Sequence, residues 1–411
     1  MRILLAHNFY QQTGGEDSVF YAEAELLEQH GHAPLRYVLH NNQIEEMSRL
    51  EVAAKTVWNR QVHRELFELV RNQSIDVVHF HNTFPLISPA AFSAVRKAGA
   101  AVVQTLHNYR NLCPAAVLFR DGHDCEDCIH RKLKLPAIKH KCYRGSRGAT
   151  AVLTASLAYH AWRGTLNEDV DLFIAPSESA RGKFVEAGWR PEQILVKPHF
   201  IDPDPGPGTG GDYAVFVGRL SHEKGLETLL AAWKKLSTRV PLKIVGDGPQ
   251  RPDLLDAIQQ DALIEWLGRR PMHEVYSIVG NAAFLVVPSR TRETFGRVAI
   301  EAFATGTPVI AANHGALADI ITEDTGLLFA PSDVDDLVRC IETFIQHPDR
   351  LRDMRANCRD EFARHYTGEP NYRQLMDIYH RAIRLAAAKR NPEWASNASE
   401  HELPLPDNQL G

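Results

Sequence analysis

A Pro- and Gly-rich segment, residues 199–212 (HFIDPDPGPGTGGD), separates two parts of the chain that each alternate short apolar runs with helical patterns. Such a composition is typical of a linker between domains. The predicted strands are residues 2–7, 76–80, 101–106 and 172–176 before the segment, and residues 213–217, 242–245, 283–287 and 308–311 after it. Strands that are joined through helices run parallel and are covered by helices on both faces. The pattern therefore predicts an α/β protein with two doubly wound domains and a deep cleft between them.

The predicted domain bounds follow from this division. Because 411 residues are too many for one ordinary core, we expect a first domain at residues 1–198, a linker at 199–212 and a second domain at 213–368. Residues 369–390 have helical spacing and are expected to pack back on the first domain. Residues 391–411 are polar and contain Pro, so we expect a disordered tail there.

The composition narrows the class of protein. Hydrophobic residues make up 44% of the chain and charged residues 24%, as in globular proteins, and the net charge of −5 implies no general affinity for nucleic acid. The apolar run after Met1 (RILLA) is too short for a signal peptide, and no segment has the roughly 20 apolar residues that span a bilayer. We expect a cytoplasmic protein, with the inner face of the membrane as an alternative location.

A basic motif, GRLSHEKG, follows the first strand of the second domain. Gly218 allows a tight exit from the strand, and Arg219 and Lys224 flank a loop that leads into the next helix. A diphosphate group requires dispersed positive charge and backbone donors at a helix start. The next strand ends in VGDGP, where Gly246 and Gly248 would let the backbone approach a ligand. Taken alone, the two bases are more often surface residues of a loop.

Two glutamates eight residues apart form the second motif, SRTRETFGRVAIEAF. Glu293 falls on a loop after a predicted strand, and Glu301 falls inside the following helix. Open α/β sheets bind ligands outside the carboxyl ends of their strands, so both side chains are candidates for a ligand site. The alternative is a helix-terminal acid and a solvated helix face.

Together, the order of GRLSHEKG, VGDGP and the two glutamates resembles the retaining nucleotide-sugar glycosyltransferases of glycosyltransferase family 4, over about residues 1–389. The resemblance implies the GT-B fold, in which two Rossmann-like domains face each other across the active site. It also implies that Arg219 and Lys224 grip the donor diphosphate, that Glu301 binds the ribose and that Glu293 binds the donor sugar.

The resemblance extends to the residues between the two glutamates and to the first domain. Thr294, Phe295 and Gly296 would offer backbone N–H groups to the sugar and phosphate, and Gly14 and Gly15 would form a glycine-rich loop that approaches the diphosphate across the cleft.

A histidine in the first domain completes the implied catalytic set of His107, Arg219, Lys224 and Glu293. His107 follows the predicted strand AVVQTL, where the family has a His-Asp pair, but here the next residue is Asn108. The role of the missing carboxylate is therefore open. His79 and His81 end another predicted strand and are expected to line the cleft on the acceptor side.

The implied reaction moves a sugar from a nucleoside-diphosphate sugar, of the UDP or GDP type, to a hydroxyl of a saccharide or lipid-linked acceptor. We expect retention of anomeric configuration and a role in cell-envelope polysaccharide or glycolipid synthesis. The site segments contain no Asp-x-Asp motif, so we expect no catalytic metal. Alternatives are a sugar-nucleotide epimerase on the same fold and a non-catalytic, zinc-containing binding scaffold. A phosphorylase is disfavoured, because no lysine context suits a pyridoxal cofactor.

Four cysteines lie close together in an insert of about residues 108–148: Cys113, Cys125, Cys128 and Cys142. Four clustered cysteines around a C-x-x-C motif are typical of a structural zinc site, with reduced thiols and disulfides as alternatives. Residues 128–167 contain no Asp or Glu and include many bases. This stretch predicts either a solvated basic surface or peripheral contact with a membrane or an anionic acceptor.

Overall fold

A computed structural model describes residues 1–12 and 14–390. The tail predicted at residues 391–411 lies outside the described residues. In chain order the strands are β1 (Ile3–Phe9), β2 (Leu35–His40), β3 (Val77–Asn82), β4 (Ala101–Thr105), β5 (Phe119–Arg120), β6 (His123–Asp124), β7 (Leu172–Ala175), β8 (Ile194–Val196), β9 (Ala214–Val217), β10 (Leu242–Val245), β11 (Ile264–Gly268), β12 (Phe284–Val287), β13 (Val309–Ala312) and β14 (Gly326–Phe329).

The α-helices alternate with these strands over most of the chain. In chain order they are α1 (Gly15–Gln29), α2 (Arg49–Val57), α3 (Arg60–Asn72), α4 (Ala90–Ala98), α5 (Leu135–His140), α6 (Arg147–Arg163), α7 (Glu178–Glu186), α8 (Leu226–Lys235), α9 (Arg251–Gln260), α10 (Met272–Gly280), α11 (Arg297–Ala304), α12 (Ala316–Ile320), α13 (Val334–Gln346), α14 (Pro348–His365) and α15 (Gly368–Arg390). Within the described residues, no helix is both long enough and apolar enough to cross a bilayer.

Two separate six-stranded sheets organise the chain. The first has the order β2-β1-β3-β4-β7-β8 and the second has the order β11-β10-β9-β12-β13-β14. The strand pairs within both sheets are parallel. Strands such as β3 and β4 are buried along their whole length, because helices cover both faces. The order of strands reverses between β1 and β3 in the first sheet and between β9 and β12 in the second, and ligands bind at such switch points.

The C-terminal helix α15 belongs to the core of the first sheet. Leu375, Tyr379 and Ala382 are fully buried in a cluster that also contains Leu5 of β1 and Val103 of β4. The chain thus leaves the second sheet through α14 and returns to the first. The segment between β8 and β9 contains no helix or strand.

Several predicted elements have different bounds in the structure. The first strand continues to Phe9 rather than ending at His7, and the following helix begins at Gly15. The Asp17 carboxylate accepts the Gly14 N–H at 2.8 Å and caps the first turn of this helix. Strands β2 and β8, at the two edges of the first sheet, give no clear apolar run, because β2 is largely exposed and β8 has only three residues.

The insert between β4 and α6 forms a small subdomain. It contains the antiparallel hairpin of β5 and β6, in which Phe119 pairs with Asp124 and Arg120 with His123. The short helix α5 follows and packs against α6. The insert therefore has its own structure and is attached to the first sheet at the carboxyl end of β4.

Candidate active site in the interdomain cleft

A cavity of about 520 Å³ opens between the two sheets. Its walls come from the loops after β1 and β4, from the loops after β9 and β12, and from the start of α11. The sequence-predicted residues that line it are Gly14, Gly15, His107, Gly218, Arg219, Lys224, Glu293, Thr294, Phe295, Gly296 and Glu301. The lining therefore joins motifs that are more than 200 residues apart in the chain.

The loops after β9 and β12 meet at the switch point of the second sheet. The Lys224 Nζ donates to the Glu293 Oε1 at 2.5 Å, and Ser289 Oγ donates to the same oxygen at 2.7 Å. Gly225 has a φ of +74°, and a Cβ there would lie 1.9 Å from the Pro288 carbonyl oxygen. Only glycine fits this approach. The ammonium of Lys224 and the carboxylate of Glu293 are thereby fixed side by side at the cavity wall.

The electrostatics of this pair favour its charged form. Burial opposes the ionisation of Glu293, but Lys224 and the hydroxyl of Ser289 hold the pKa of the Glu293 carboxyl below its usual value. Lys224 is about one third exposed toward the cavity, so it can also reach an anionic ligand. The ammonium of Lys224 and the carboxylate of Glu293 are thus both charged and both available to a ligand at the same cavity wall.

The N-terminus of α11 forms the adjoining part of the wall. Gly296, Arg297 and Val298 line the cavity there, at the end of the helix where backbone N–H groups lack helical acceptors. Such a terminus attracts phosphate and carboxylate groups. Glu301 lies one turn further along and pairs with Arg297 at 3.1 Å. Burial raises the pKa of Glu301, and the neighbouring Arg297 opposes the rise.

Gly246 and Gly248, which the sequence placed at the ligand, do not line this cavity. A Cβ on Gly246 would lie 1.8 Å from the carbonyl oxygen of Gly218, and one on Gly248 would lie 2.4 Å from that of Leu220. Both glycines therefore allow the loop after β10 to pack against the basic loop after β9. We assign them to the shape of that loop rather than to ligand contact.

Thr294 ties the two domains together beside the cavity. Its hydroxyl donates to the backbone carbonyl of His107 at 2.7 Å, and its own carbonyl accepts the Ser177 hydroxyl at 2.8 Å. Its hydroxyl and carbonyl are therefore already engaged. Phe295 is buried, and its ring lies 4.8 Å from that of His199.

His107 lies at the cavity in a row of stacked imidazoles. Its ring is stacked with His81 on one side and His199 on the other, with centroids 5.3 Å apart in both cases. His107 Nε2 and His81 Nδ1 share a hydrogen bond of 3.1 Å. Burial and the neighbouring imidazoles hold the pKa of His107 well below its usual value, and burial lowers the pKa of His199 to about 3. His107 is therefore neutral at physiological pH and acts as a hydrogen-bonding group.

The prediction that His79 and His81 line the cleft is wrong. Both are buried inside β3, where they face the Glu23 carboxylate at 3.3 and 3.4 Å. Glu23, His79 and His81 are metal-ligating residue types, and within the described residues their ligand atoms lie close enough together to hold a metal ion. However, Lys197 Nζ donates to Glu23 at 2.8 Å, and this ammonium supplies the charge that a cation would. This network contacts His107 through the hydrogen bond between His81 and His107.

A carboxyl group that the sequence analysis did not predict lines the first-domain wall. Glu16 lies in the first turn of α1, and the Asn108 side-chain amide points to its Oε2 at 3.5 Å. Burial raises the pKa of Glu16 to about 7, although the nearby Arg110 opposes the rise. In the sequence, a glutamate at a helix start is explained by its favourable interaction with the helix dipole, so it did not stand out as a site residue. In the folded protein it lies beside Asn108, which occupies the place of the aspartate in the His-Asp pair.

The four cysteines of the insert do not line the cavity. They lie in the subdomain whose hairpin contacts the second domain near the Glu293 loop. Arg292 Nε donates to the Asp124 carboxylate at 2.9 Å, and an Arg290 nitrogen donates to the Gly122 carbonyl at 3.1 Å.

Comparison with known families agrees with this architecture. The family model described as Glycosyltransferase Family 4 matches residues 13–205, and the model described as Glycosyl transferases group 1 matches residues 200–361. Together they extend over residues 13–361, which include every strand after β1 and the segment between the two sheets. The chain belongs to glycosyltransferase family 4.

Individual relatives in this family match part of the chain. A glycogen synthase of Mycobacterium tuberculosis (strain H37Rv) is 29% identical over 205 residues, which are 48% of this chain and 49% of that protein. A D-inositol 3-phosphate glycosyltransferase of Corynebacterium kroppenstedtii is 33% identical over 183 residues, 41% of this chain and 40% of that protein. The chain thus spans about half the length of the curated relatives it matches.

Solved structures resemble the family 4 chain over nearly its whole length. HepE of Anabaena, solved in complex with UDP, has a TM-score of 0.64 at 18% identity and covers 92% of this chain and 99% of its own. A glycosyltransferase of Rickettsia africae has a TM-score of 0.67 at 16% identity, with 93% and 99% covered. The likeness establishes the fold, and the prediction of two facing Rossmann-like domains in a GT-B arrangement is confirmed.

The raised pKa of Glu16 generates a prediction for the pH dependence of stability. Between the usual glutamate pKa of 4.5 and about 7, the folded protein keeps a proton on Glu16 that the unfolded chain has lost. Because the folded protein binds this proton more tightly, the free energy of unfolding of the wild type decreases as the pH rises through that range. Glu16→Gln cannot titrate, so its stability relative to wild type should increase from about pH 5 to about pH 8.

Denaturant unfolding at several pH values measures this difference. Glu25→Gln is a matched control, because Glu25 is exposed on the same helix, and it should show no such trend. Parallel stability profiles for Glu16→Gln and wild type would show that the Glu16 carboxyl titrates normally in the folded protein.

Proposed function

We propose that the protein is a retaining glycosyltransferase that moves a sugar from a nucleoside-diphosphate sugar to a hydroxyl acceptor. The observation that carries the proposal is the pairing of Lys224 with Glu293 at the switch point of the second sheet, opposite the Gly14-Gly15 turn of the first domain. A donor that lies across this wall presents its diphosphate to Lys224 and Arg219 and its sugar to Glu293. The cavity has the size of a typical small-ligand pocket.

The donor class is a UDP- or GDP-sugar. Support comes from the chemistry of the wall, where two cationic side chains and the N-terminus of α11 are arranged for a diphosphate. HepE of Anabaena, which shares the fold, was solved with UDP and with UDP-glucose. Glu301 lies one turn into α11, within the same cavity, and is the residue that would accept hydrogen bonds from the ribose hydroxyls.

The central task of the proposed site is to stabilise negative charge on the departing diphosphate. Arg219, Lys224 and the α11 terminus can do this without a metal ion, because they supply fixed positive charge and N–H donors at the leaving group. When the donor binds, Lys224 would share its donors between Glu293 and a phosphate oxygen. Glu293 then has an oxygen free to accept a hydrogen bond from a sugar hydroxyl.

The proposed chemical step takes place on one face of the sugar. The bond between the anomeric carbon and the phosphate oxygen breaks, the bond to the acceptor oxygen forms on the same face, and the acceptor proton passes to the leaving phosphate. The transition state resembles an oxocarbenium ion. His107 is neutral and can accept or donate a hydrogen bond without repelling that positive charge. Glu16 supplies a carboxyl group on the first-domain side.

Replacement of the phosphate-binding cations should reduce turnover strongly. We expect Arg219→Ala and Lys224→Ala each to lower kcat by about 10²-fold or more, comparable to the loss of one oxyanion donor. The measurement is release of nucleoside diphosphate from UDP- and GDP-sugars with saccharide or lipid-linked acceptors, with the product's anomeric configuration determined by NMR.

Lys235→Ala serves as the control, because Lys235 is an exposed lysine of α8 that pairs with Asp335 on the surface. It should leave turnover unchanged. Full activity in both cavity variants would exclude this site. An isomerised sugar nucleotide without acceptor would indicate an epimerase, and binding without any turnover would indicate a scaffold.

The surface of the insert and of α6 in the first domain suggests contact with an anionic membrane. Leu133 and Leu135 at the start of α5 are 59% and 60% exposed, and Trp162 at the end of α6 is 83% exposed. Exposed basic residues lie near them in the chain: Arg131, Lys132, Lys139, Lys141, Arg144 and Arg147 around the two leucines, and Arg163 next to Trp162. Apolar side chains among lysines and arginines are the combination that binds an anionic lipid surface. A lipid-linked acceptor in cell-envelope synthesis fits this surface.

Vesicle sedimentation tests this contact. The wild-type protein should sediment with vesicles that contain phosphatidylglycerol and much less with pure phosphatidylcholine, and the double variant Leu133→Ser/Leu135→Ser should lose most of the binding. Leu255→Ser, at an exposed leucine of α9 in the second domain, is the control and should bind normally. Absence of wild-type binding to the anionic vesicles would contradict the proposal.

A further inference from the structure

The insert after β4 brings together four thiols from separate parts of its fold. Cys113 lies in the loop that leaves the first sheet, Cys125 and Cys128 follow β6, and Cys142 follows α5. Backbone hydrogen bonds fix each neighbourhood: the Cys125 N–H donates to Leu118 at 2.8 Å and the Cys142 N–H donates to Ala137 at 3.1 Å. All four cysteines are free thiols.

The thiols are close enough to influence one another electrostatically. Cys113 acts on the other three, Cys142 acts on Cys128, and Cys125 acts on Cys142. Within the described part of the chain no three of these sulfurs lie within 4.8 Å of one another. Tetrahedral zinc at about 2.3 Å from each sulfur would draw them closer, as metal binding commonly does when it completes a fold.

A buried lysine next to Cys128 indicates that the cysteine cluster carries negative charge. Lys134 is only 6% exposed, and its Nζ donates to the carbonyls of Cys128 at 2.9 Å and Arg131 at 3.4 Å. Among the described side chains it forms no ion pair with a carboxylate, and the ionisable groups that act on it are the thiols of Cys128 and Cys113. A buried ammonium beside neutral groups is costly. Thiolates would supply its counter-charge.

A second cation lies on another side of the cluster. Arg120 of β5 acts on the thiols of Cys125 and Cys142, and it also pairs with Asp127 at 3.1 Å. Zinc with four thiolates carries a net charge of −2. Arg120 already pairs with Asp121 at 3.2 Å and with Asp127 at 3.1 Å. Lys134 is the buried cation of the insert that has no carboxylate partner among the described side chains, and four neutral thiols would leave it without an anion.

We propose that Cys113, Cys125, Cys128 and Cys142 bind one Zn²⁺ as thiolates and that this ion holds the insert in its folded form. The proposal does not depend on the glycosyltransferase assignment. It does assign a task to the metal, because the β5–β6 hairpin between Cys113 and Cys125 carries the contacts to Arg290 and Arg292. The ion would thereby support the hairpin that braces the Glu293 loop.

Metal analysis of the full chain tests the site. Protein purified without chelator should contain one zinc per chain, and its cobalt-substituted form should show the intense thiolate-to-cobalt absorption of a tetrahedral site. Cys125→Ser and Cys142→Ser should each reduce the zinc content at least several-fold after dialysis. Cys125→His, which keeps a zinc ligand, should retain more zinc and shift the cobalt spectrum.

Cys340→Ala and Cys358→Ala are the controls, because these buried cysteines lie on α13 and α14 away from the insert. They should keep a full zinc complement. Far-ultraviolet circular dichroism checks that the serine variants still contain the two sheets. Wild-type protein that neither holds zinc nor gives the cobalt–thiolate spectrum would overturn the proposal. So would fewer than six titratable thiols in the denatured, unreduced protein, since disulfides would then occupy the cysteines.

Discussion

The ion pair between Lys224 and Glu293 is the interaction on which the candidate site depends. It joins the loops after β9 and β12, the two strands where the order of the second sheet reverses. The loops can come this close because Gly225 has no side chain to meet Pro288. Without the pair, the partly buried carboxylate of Glu293 would lack its main counter-charge, and removal of one member of such a pair is costly. The pair therefore fixes both the phosphate-binding and the sugar-binding end of the proposed donor site.

The first domain completes the cavity through contacts with the same loop. Thr294, next to Glu293, donates to the backbone of His107 and accepts from Ser177. The hairpin of the insert braces the loop from another side through Arg290 and Arg292. These contacts link the position of Glu293 to the relative position of the two domains, so a ligand that binds between Lys224 and the Gly14-Gly15 turn would act on both. The geometry of the Glu293 loop and the contact between the two domains are thus parts of one arrangement.

Sequence patterns were sufficient for the fold and for the motif residues of the cavity. Buried parallel strands appear as uninterrupted apolar runs, and ligand loops follow their carboxyl ends, so Arg219, Lys224 and Glu293 could be placed at one edge before the structure was known. Other features depend on distance in the folded chain. His79 and His81 lie at the end of an apolar run, but the strand continues to Asn82 and buries both against Glu23. Gly246 and Gly248 serve loop packing, and Glu16 acquires its raised pKa only from burial beside Asn108.

Calorimetric titration of UDP, GDP and ADP into the wild-type protein and into Lys224→Ala tests the account most directly, because it measures the proposed diphosphate site without the acceptor. We expect UDP or GDP to bind the wild type and Lys224→Ala to weaken the binding by about tenfold or more, the loss of roughly one charge-assisted hydrogen bond. Exposed Lys235→Ala should bind as the wild type does. Equal affinity in wild type and Lys224→Ala would contradict the assignment of Lys224, and with it the central role of its pair with Glu293.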